Sequence, residues 1–199
     1  MLEKRAGQLE DKIVSIPDFE ELDADHFYTD LDRLVRTANR TVKLMYFGKR
    51  SPRTGTFRRQ ERNYVEMILR HPRDRRDIYF QRIILNTPSN VEWATENMNA
   101  LGNLANFSLA IYNPRGTEPI LSIQLIDDEH VFIVDPLPGG LQNIKYLYAK
   151  SHHANYIFDK YYQAVWEQSI VLVDCGTKNE QAMQDLGLIS PPQPVSKMA

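Results

Sequence analysis

The sequence predicts an α/β fold in which helices flank a mixed β-sheet. Three observations support this prediction. Segments with apolar residues at helical spacing alternate with short β-branched and aromatic runs in the first half of the chain. Two later apolar runs are separated only by a tight polar turn, which is typical of an antiparallel hairpin. The 199 residues, of which 42% are hydrophobic, are sufficient for one domain with its own core.

The first elements are two helices and a strand. Residues 1–22 are predicted to form a polar helix whose thin apolar side needs a partner surface. Asp23 or Asp25 can cap the next helix, which runs to about residue 39. The β-branched and aromatic run Thr41–Phe47 then predicts a strand.

The middle of the chain repeats this alternation. A second amphipathic helix is expected to end before Pro72, because proline disfavours helical backbone in the residue before it. The apolar run Ile78–Leu85 predicts a strand that is buried on both faces. Ser89 and Glu92 fit a capping box at the start of the following helix, and Phe107–Tyr112 predicts a third strand.

The second half is predicted to contain a hairpin and a closing helix. The runs Ile120–Ile126 and His130–Val134 read as two strands joined by a turn. Asn155 can cap a long final helix, and a strand at Ser169–Asp174 would follow it. The predicted organisation is an N-terminal helix at 1–22, an α/β domain at 23–175 and a flexible tail at 176–199. The closing helix is predicted to bury one stripe of apolar residues: Ile157, Tyr161, Ala164 and Val165.

Composition excludes several classes of protein. The formal net charge is only −2, and the single cysteine, Cys175, cannot form an internal disulfide. The N-terminus lacks the apolar segment of a signal peptide, and no apolar run approaches the roughly 20 residues of a membrane span. We therefore expect a cytoplasmic protein without membrane contact. Glycine-rich phosphate loops are absent, and no cofactor or metal is expected.

The residues that could carry chemistry are scattered. Asp127 and Asp128 could be metal ligands or a relict site, but aspartate in a hairpin turn commonly bonds its own backbone, and we favour that interpretation. His71 and His130 lack a nearby nucleophile in sequence, while the adjacent His152 and His153 cannot easily share one metal. The Cys175 thiol is expected to be inert. Four aromatic residues of the closing helix could form a stacking platform or core: Tyr156, Tyr161, Tyr162 and Trp166. We favour a core position for Tyr161 and leave Tyr162 and Trp166 open.

Four stretches together show a recognisable pattern: TVKLMYFG, IYFQRIIL, ILSIQLIDDEHVFIVDP and NYIFDKYYQAVWEQSIVL. In this order they resemble one half of a phospholipase D-like domain, and the resemblance covers about residues 24–174. Active members of that family carry H-x-K-x4-D in the third stretch. There the histidine attacks phosphorus, the lysine binds phosphate oxygens and the aspartate orients the chemistry.

The resemblance implies a degenerate site in this chain. Aligning the aspartate on Asp127 places Ile120 at the histidine position and Ser122 at the lysine position. Neither residue can replace the original, because isoleucine has no lone pair and serine without a base is a poor nucleophile. No H-x-K occurs anywhere in the chain. The resemblance therefore implies a non-catalytic relative, like the degenerate members found in bacterial regulatory and effector proteins. Since family active sites combine two halves, a lone half is expected to form a homodimer.

Charge is distributed unevenly along the chain. Between Lys49 and Arg82 there are eleven Lys/Arg and four Asp/Glu residues, a local excess of +7, so the rest of the chain carries −9. Such a segment can form an anion-binding face, or it can be a solvated or intersubunit face. Arginine can form two parallel hydrogen bonds with a phosphate or a carboxylate. Five arginines in or beside the Gly/Pro loop are the candidate ligand-binding residues: Arg50, Arg53, Arg58, Arg59 and Arg62.

Three functions remain open from the sequence. The first is a non-catalytic sensor, regulatory or protein-interaction domain, with a signalling protein as a possible partner. The second is a module that binds nucleic acid or another phosphate ligand through the basic segment, although no known nucleic-acid-binding signature occurs. The third is an enzyme whose residues come together from distant segments.

Overall fold

The computed structural model describes residues 19–48, 59–114, 121–136 and 144–189. These residues form a mixed sheet flanked by five helices, which confirms the predicted α/β class. The strands are β1 (Glu20–Leu22), β2 (Thr41–Tyr46), β3 (Tyr79–Leu85), β4 (Phe107–Tyr112), β5 (Ser122–Ile126), β6 (His130–Pro136), β7 (Ile144–Lys150), β8 (Ile170–Asp174) and β9 (Thr177–Lys178). The helices are α1 (Ala24–Thr37), α2 (Arg59–Asp74), α3 (Pro88–Leu101), α4 (His152–Trp166) and α5 (Glu180–Asp185).

The nine described strands lie in one sheet with the order β1-β7-β6-β5-β2-β3-β4-β8-β9. β2, β3 and β4 are parallel neighbours, and every other pairing is antiparallel. Helices α2 and α3 are the crossover connections that parallel neighbours require. β5 pairs with β2 on the side away from β3, so the chain changes direction across the sheet at this point.

The two faces of the sheet are covered unequally. α1, α2, α3 and α5 pack on one face, where Phe27, Ile68 and Trp93 meet the strands in one apolar cluster. α4 covers the other face, where Phe158 and Tyr162 belong to a second cluster. The strongly apolar β3 and β4 are sandwiched between these clusters, as their near-continuous apolar sequences predict.

α2 continues through Pro72, so the prediction that this helix ends earlier is wrong. Proline has no N–H to donate to the carbonyl four residues before it, which here belongs to Ile68. The guanidinium of Arg82 on β3 takes over this role, because its Nη2 donates to the Ile68 oxygen at 3.1 Å. Pro72 therefore fits into the last turn of α2 and lies buried against the core.

Two helices begin earlier than their predicted caps. α3 starts at Pro88, and the side chain of Thr87 accepts the amide of Asn90, so the capping box at Ser89 is wrong. The physical reason is that proline is preorganised for the first helical position, where its missing donor costs nothing. α4 starts at His152 with Ser151 as its cap. Asn155 lies inside that helix, where its side chain donates to the His130 carbonyl at 3.1 Å.

The side chains that α4 buries differ in part from the predicted stripe. Val165 is buried as predicted, whereas Phe158 and Tyr162 face the sheet in place of Ile157 and Tyr161. Tyr162 is fully buried, whereas Tyr161 and Trp166 are partly buried and Tyr156 is 62% exposed. The aromatic residues of α4 therefore do not form a shared stacking surface.

Regular structure extends past both ends of the predicted domain at 23–175. Residues 20–22 form β1, which pairs with β7, while residues 1–18 of the expected helix lie outside the described residues. Residues 177–178 form β9 and α5 follows, although this part was assigned to a flexible tail. Its order has a physical reason, since Ala182 and Met183 are buried against the core and Asn179 caps α5. Residues 190–199 lie outside the described part.

Candidate ligand-binding edge of the sheet

The carboxyl ends of the parallel strands define one edge of the sheet. β2, β3 and β4 all end there, and β5 begins there because it is antiparallel to β2. β5 follows β4 in the chain but lies beyond β2, on the side away from β3 and β4, so the strand order reverses between β2 and β5. Open α/β sheets bind ligands at such a switch point. We call this place, from Tyr46 to Gly48 and from Leu121 to Ser122, the switch-point edge.

Ser122 lies at the switch-point edge, opposite the end of β2. Its hydroxyl oxygen accepts the backbone amide of Phe47 at 3.0 Å. This contact satisfies the first amide beyond β2 and ties the ends of β2 and β5 together. Ser122 thus has a structural role at the position where the resemblance places a lysine. Ile120, at the histidine position, lies outside the described residues.

Asp127 lies at the opposite end of β5, in the turn to β6. Its carboxylate accepts three backbone amides, those of Asn39 at 3.0 Å, Arg40 at 2.8 Å and Thr41 at 3.0 Å. Its φ of 54° is in the left-handed region, which aspartate tolerates better than most residues. Asp127 lies in the hairpin turn as expected, but its carboxylate organises the entry into β2 by accepting distant amides, whereas the expectation was a bond to its own backbone.

The neighbouring acid, Asp128, is exposed and forms an ion pair with Arg40. The backbone oxygen of Asp128 contacts Nδ1 of His152 at 2.9 Å. In the part of the chain that the structure describes, no cluster of three or more His, Cys, Asp or Glu side chains could hold a metal ion. Asp127 thus connects the β5–β6 turn to the start of β2, and Asp128 connects the same turn to the start of α4.

Asn90 in the first turn of α3 connects two strand ends at the switch-point edge. Its Nδ2 donates to the carbonyl oxygens of Gly48 at 2.8 Å and Leu85 at 3.1 Å. Asn90 is fully buried, and its Oδ1 has no hydrogen-bond partner. A Cβ atom on Gly48 would lie 2.3 Å from the Tyr46 hydroxyl, so a larger residue here would require the Tyr46 side chain to shift. Sequence analysis missed Asn90, although its position after the Thr87–Pro88 helix start is a usable signal.

Aromatic side chains and one carboxylate lie below this edge. The Tyr28 hydroxyl donates to Oε1 of Glu61 at 3.2 Å, and the Tyr46 ring meets Trp93 edge-on at 5.4 Å between centroids. Burial, and then the charge of Glu61, raises the pKa of both Tyr28 and Tyr46 well above the ordinary value. Both phenols are therefore neutral hydrogen-bonding groups at physiological pH.

The histidines considered from the sequence lie away from the switch-point edge. His130 and His152 are at the opposite edge, where β6 begins and β7 ends, and His71 is near the end of α2. His130 stacks on Tyr148 and its Nδ1 lies 3.0 Å from that hydroxyl. Burial lowers the pKa of both His130 and His71. His153 is exposed, and so is Cys175, which occupies the β8–β9 turn at φ 45°.

The basic segment has two kinds of arginine. Arg59 and Arg62 are exposed on the first turn of α2, whereas Arg50, Arg53 and Arg58 lie outside the described residues. Other arginines complete the fold. Arg73 donates to the Ala100 carbonyl near the end of α3, and Arg75 donates to the Ala38 carbonyl at the end of α1. Arg82 is buried. The sequence-based charge count therefore overstates the charge available to a ligand.

No protein-family model matches the sequence, and no curated protein matches it. Solved structures do match its fold. Nuc of Salmonella typhimurium, a phospholipase D family member, aligns with a TM-score of 0.53 and 10% identity over 77% of this chain and 96% of its own. NucT from Helicobacter pylori aligns with a TM-score of 0.50 and 15% identity over 76% of this chain and 96% of its own. This chain has a phospholipase D-like fold.

A third similar structure is phosphatidylserine synthase of Haemophilus influenzae Rd KW20. It aligns with a TM-score of 0.52 and 14% identity over 94% of this chain but only 46% of its own length. The chain thus spans about half of this synthase and nearly all of Nuc and NucT. In the described residues, no helix is long and apolar enough to cross a membrane.

Proposed function

We propose that this chain is a non-catalytic phospholipase D-like domain that acts as a sensor, regulatory or protein-interaction module. The observation that carries the proposal is the Ser122 contact. At the position of the family's lysine, this chain has a hydroxyl that accepts the Phe47 amide at 3.0 Å. A hydroxyl that is already bonded to the backbone cannot supply the positive charge that a phosphate oxygen needs.

The surroundings of Ser122 support the same proposal. Catalysis of this type needs a histidine nucleophile within reach of the phosphorus. His71, His130 and His152 lie toward the other edge of the sheet, and His26 is exposed at the start of α1, where it contacts Asp23. The Asp127 carboxylate is occupied by three backbone amides. The positions of these histidines and the occupied Asp127 carboxylate support a domain that does not carry out the family's reaction.

The test measures whether the chain cleaves an oligonucleotide. A labelled oligonucleotide, as single strand and as duplex, is incubated with the purified chain with and without a divalent metal and then separated on native and denaturing gels. We expect intact oligonucleotide on the denaturing gel under every condition. Metal-dependent fragments that increase with protein concentration would contradict the proposal.

A second candidate function is the binding of nucleic acid or another phosphate ligand, and the surface of α2 favours it. Arg59, Arg62, Arg70 and Arg73 fall within one exposed stripe of the helix, since their spacings place them within about 80° of one another, although Arg73 also donates to the Ala100 carbonyl. At about 1.5 Å per residue, this stripe extends over roughly 21 Å. Glu66 falls within the stripe and Asp74 lies beside it, so the net charge of this surface is modest.

This candidate is tested by titrating the oligonucleotide at about 50 mM salt, where phosphate contacts are strong, and again at higher salt concentrations. Each phosphate contact that is lost should reduce the slope of log K against log salt by about one. We expect the double variant Arg59→Ala, Arg62→Ala to weaken binding and flatten this slope. Arg33→Ala is the matched control, because Arg33 is exposed on α1 and pairs with Asp30. If the unaltered chain does not bind the oligonucleotide, these arginines serve solubility or assembly and do not bind a phosphate ligand.

A homodimer remains part of the proposal. Two copies would restore the number of halves that an active phospholipase D-like site contains, and a two-fold dimer is the simplest closed assembly. Light scattering should give a mass twice that of the chain at micromolar concentration. A monomer mass that does not change with concentration would remove the homodimer from the proposal and leave a signalling protein as the expected partner.

A further inference from the structure

Arg82 is a buried cation without a counter-ion. Its side chain is only 1% exposed, and Nη2 donates to the Ile68 carbonyl. Its Nε and Nη1 atoms are buried and have no hydrogen-bond partner. Among the described residues, no carboxylate forms an ion pair with Arg82. Buried charges are normally paired, because removing a guanidinium from water is costly.

The groups around Arg82 do not supply a negative charge. The rings of Trp93 and Phe107 lie 5.5 and 5.6 Å from its Cζ, and their faces offset only part of the cost of burial. Burial raises the pKa of Tyr64 and Tyr162 well above the ordinary value, so both phenols stay neutral. Burial lowers the pKa of Arg82 to about 10, which still leaves the side chain protonated at neutral pH.

Other buried polar atoms on the helix-rich face are also unsatisfied. Trp93 Nε1, Asn97 Oδ1 and Gln124 Oε1 have no hydrogen-bond partner. Gln124 is separated from Arg82 by one strand, since both residues are register partners of Leu44. Of these three atoms, Trp93 Nε1 is the donor from which an anion can accept, whereas the two amide oxygens can be satisfied by ordered water.

We propose that Arg82 binds a small monovalent anion of the halide class, enclosed between β3 and helices α2 and α3. One guanidinium whose Nε and Nη1 atoms, with three N–H groups between them, are unpaired matches a single negative charge. The aromatic walls and the lack of exposure favour a compact anion over phosphate, which is larger and more strongly hydrated. This site is independent of the exposed arginines of α2 and of the proposed function.

The experiment measures the thermal unfolding midpoint at constant ionic strength while sodium chloride or bromide replaces sodium gluconate. We expect the midpoint to rise progressively with halide, since a ligand that binds only the folded state stabilises it. Arg82→Met should abolish this dependence, because it removes the charge and nearly preserves the volume. Arg76→Met is the matched control at an exposed arginine and should keep the dependence.

The same site can be examined without a variant, in case Arg82→Met does not fold. Crystals of the unaltered chain grown in bromide should show an anomalous peak beside the Arg82 guanidinium. Equal midpoints in halide and gluconate would overturn the proposal, and so would a halide effect that persists in Arg82→Met. An anomalous map without a peak at Arg82 would also overturn it.

Discussion

The hydroxyl oxygen of Ser122 accepts the amide of Phe47 at 3.0 Å and joins β5 to the end of β2. This bond lies at the point where the strand order reverses, which is the place where α/β sheets offer a ligand site. At this point of the phospholipase D-like fold, the side chain of Ser122 is bonded to the backbone amide of Phe47. A lysine at this position could not accept the Phe47 amide, so the structural and catalytic uses of the position exclude each other.

Ser122→Ala should destabilise the fold by about 1 kcal/mol, because it removes the acceptor of the Phe47 amide without creating a large cavity. Urea unfolding followed by circular dichroism measures this loss. Thr177→Ala is the control, since Thr177 is exposed in β9 and its change should cost less than about 0.5 kcal/mol. Equal stabilities of the two variants would show that water replaces the hydroxyl without cost.

Asp127 should be the more sensitive acid of the hairpin. Asp127→Ala leaves three backbone amides without their acceptor and places alanine at φ 54°, so we expect a loss of about 2–4 kcal/mol. Asp127→Asn should cost less, because asparagine tolerates this backbone and keeps one acceptor oxygen.

Asp128→Ala is the matched control for Asp127, because Asp128 is exposed and its partner is the exposed Arg40. Surface pairs contribute about 0–1 kcal/mol. Unfolding of all three variants by urea gives the ranking Asp127→Ala, Asp127→Asn, Asp128→Ala in decreasing loss. A larger loss for Asp128→Ala than for Asp127→Ala would contradict the assigned roles.

The start of α3 gives a third prediction. Thr87→Ala removes the side chain that accepts the Asn90 amide and should cost about 1 kcal/mol. Glu92→Ala should cost less than about 0.5 kcal/mol, because Glu92 is exposed and does not serve in a capping box. Comparison of the two unfolding midpoints distinguishes the observed cap from the predicted one.

Stability should decrease as pH falls below about 6.5, and His71 should contribute to this decrease. Burial, and then the charges of Arg75 and Arg36, lowers the pKa of His71 from 6.5. The unfolded chain therefore binds more protons just below that pH, so the contribution of His71 is complete above 6.5 and is lost as the pH falls from there through the lower pKa of the folded state. His130 acts in the same direction.

The comparison of the unaltered chain with His71→Gln isolates this effect. His26 acts in the opposite direction, because Asp23 raises its pKa, and the lowered pKa values of Asp77 and Asp128 act only near and below 3.8. These contributions are common to both proteins and cancel in the difference. The free energy of unfolding of His71→Gln should depend less on pH between 7.5 and 5.5. Identical pH dependence would show that His71 is not responsible.

The sequence predicts elements better than it predicts their ends. The strands at 41–46, 79–85 and 107–112 follow from apolar and β-branched runs, because burial between two layers selects these residues. Caps were misplaced where two candidates compete within a few residues. Thr87 and Ser151 cap α3 and α4, whereas Asn155 is used by the His130 carbonyl, which is 25 residues away in the chain.

The candidate site was predicted only in outline. The missing histidine and lysine are visible in the sequence, but the Ser122–Phe47 bond joins residues 75 positions apart and cannot be read from local pattern. The same holds for the basic segment. Arg82 and Arg75 count as charges in the sequence, yet their guanidinium groups bind backbone carbonyls of Ile68 and Ala38. Long-range contacts decide which charges remain available.

The central claim is that a phospholipase D-like fold persists here without its reaction. The most direct measurement is the rate of product release from a chromogenic phosphodiester at high protein concentration, with and without divalent metal. We expect the rate to equal that of buffer and to be unchanged in Ser122→Ala. Turnover that follows the protein through two chromatographic steps and is lost in Ile120→Ala or Ser122→Ala would contradict the account.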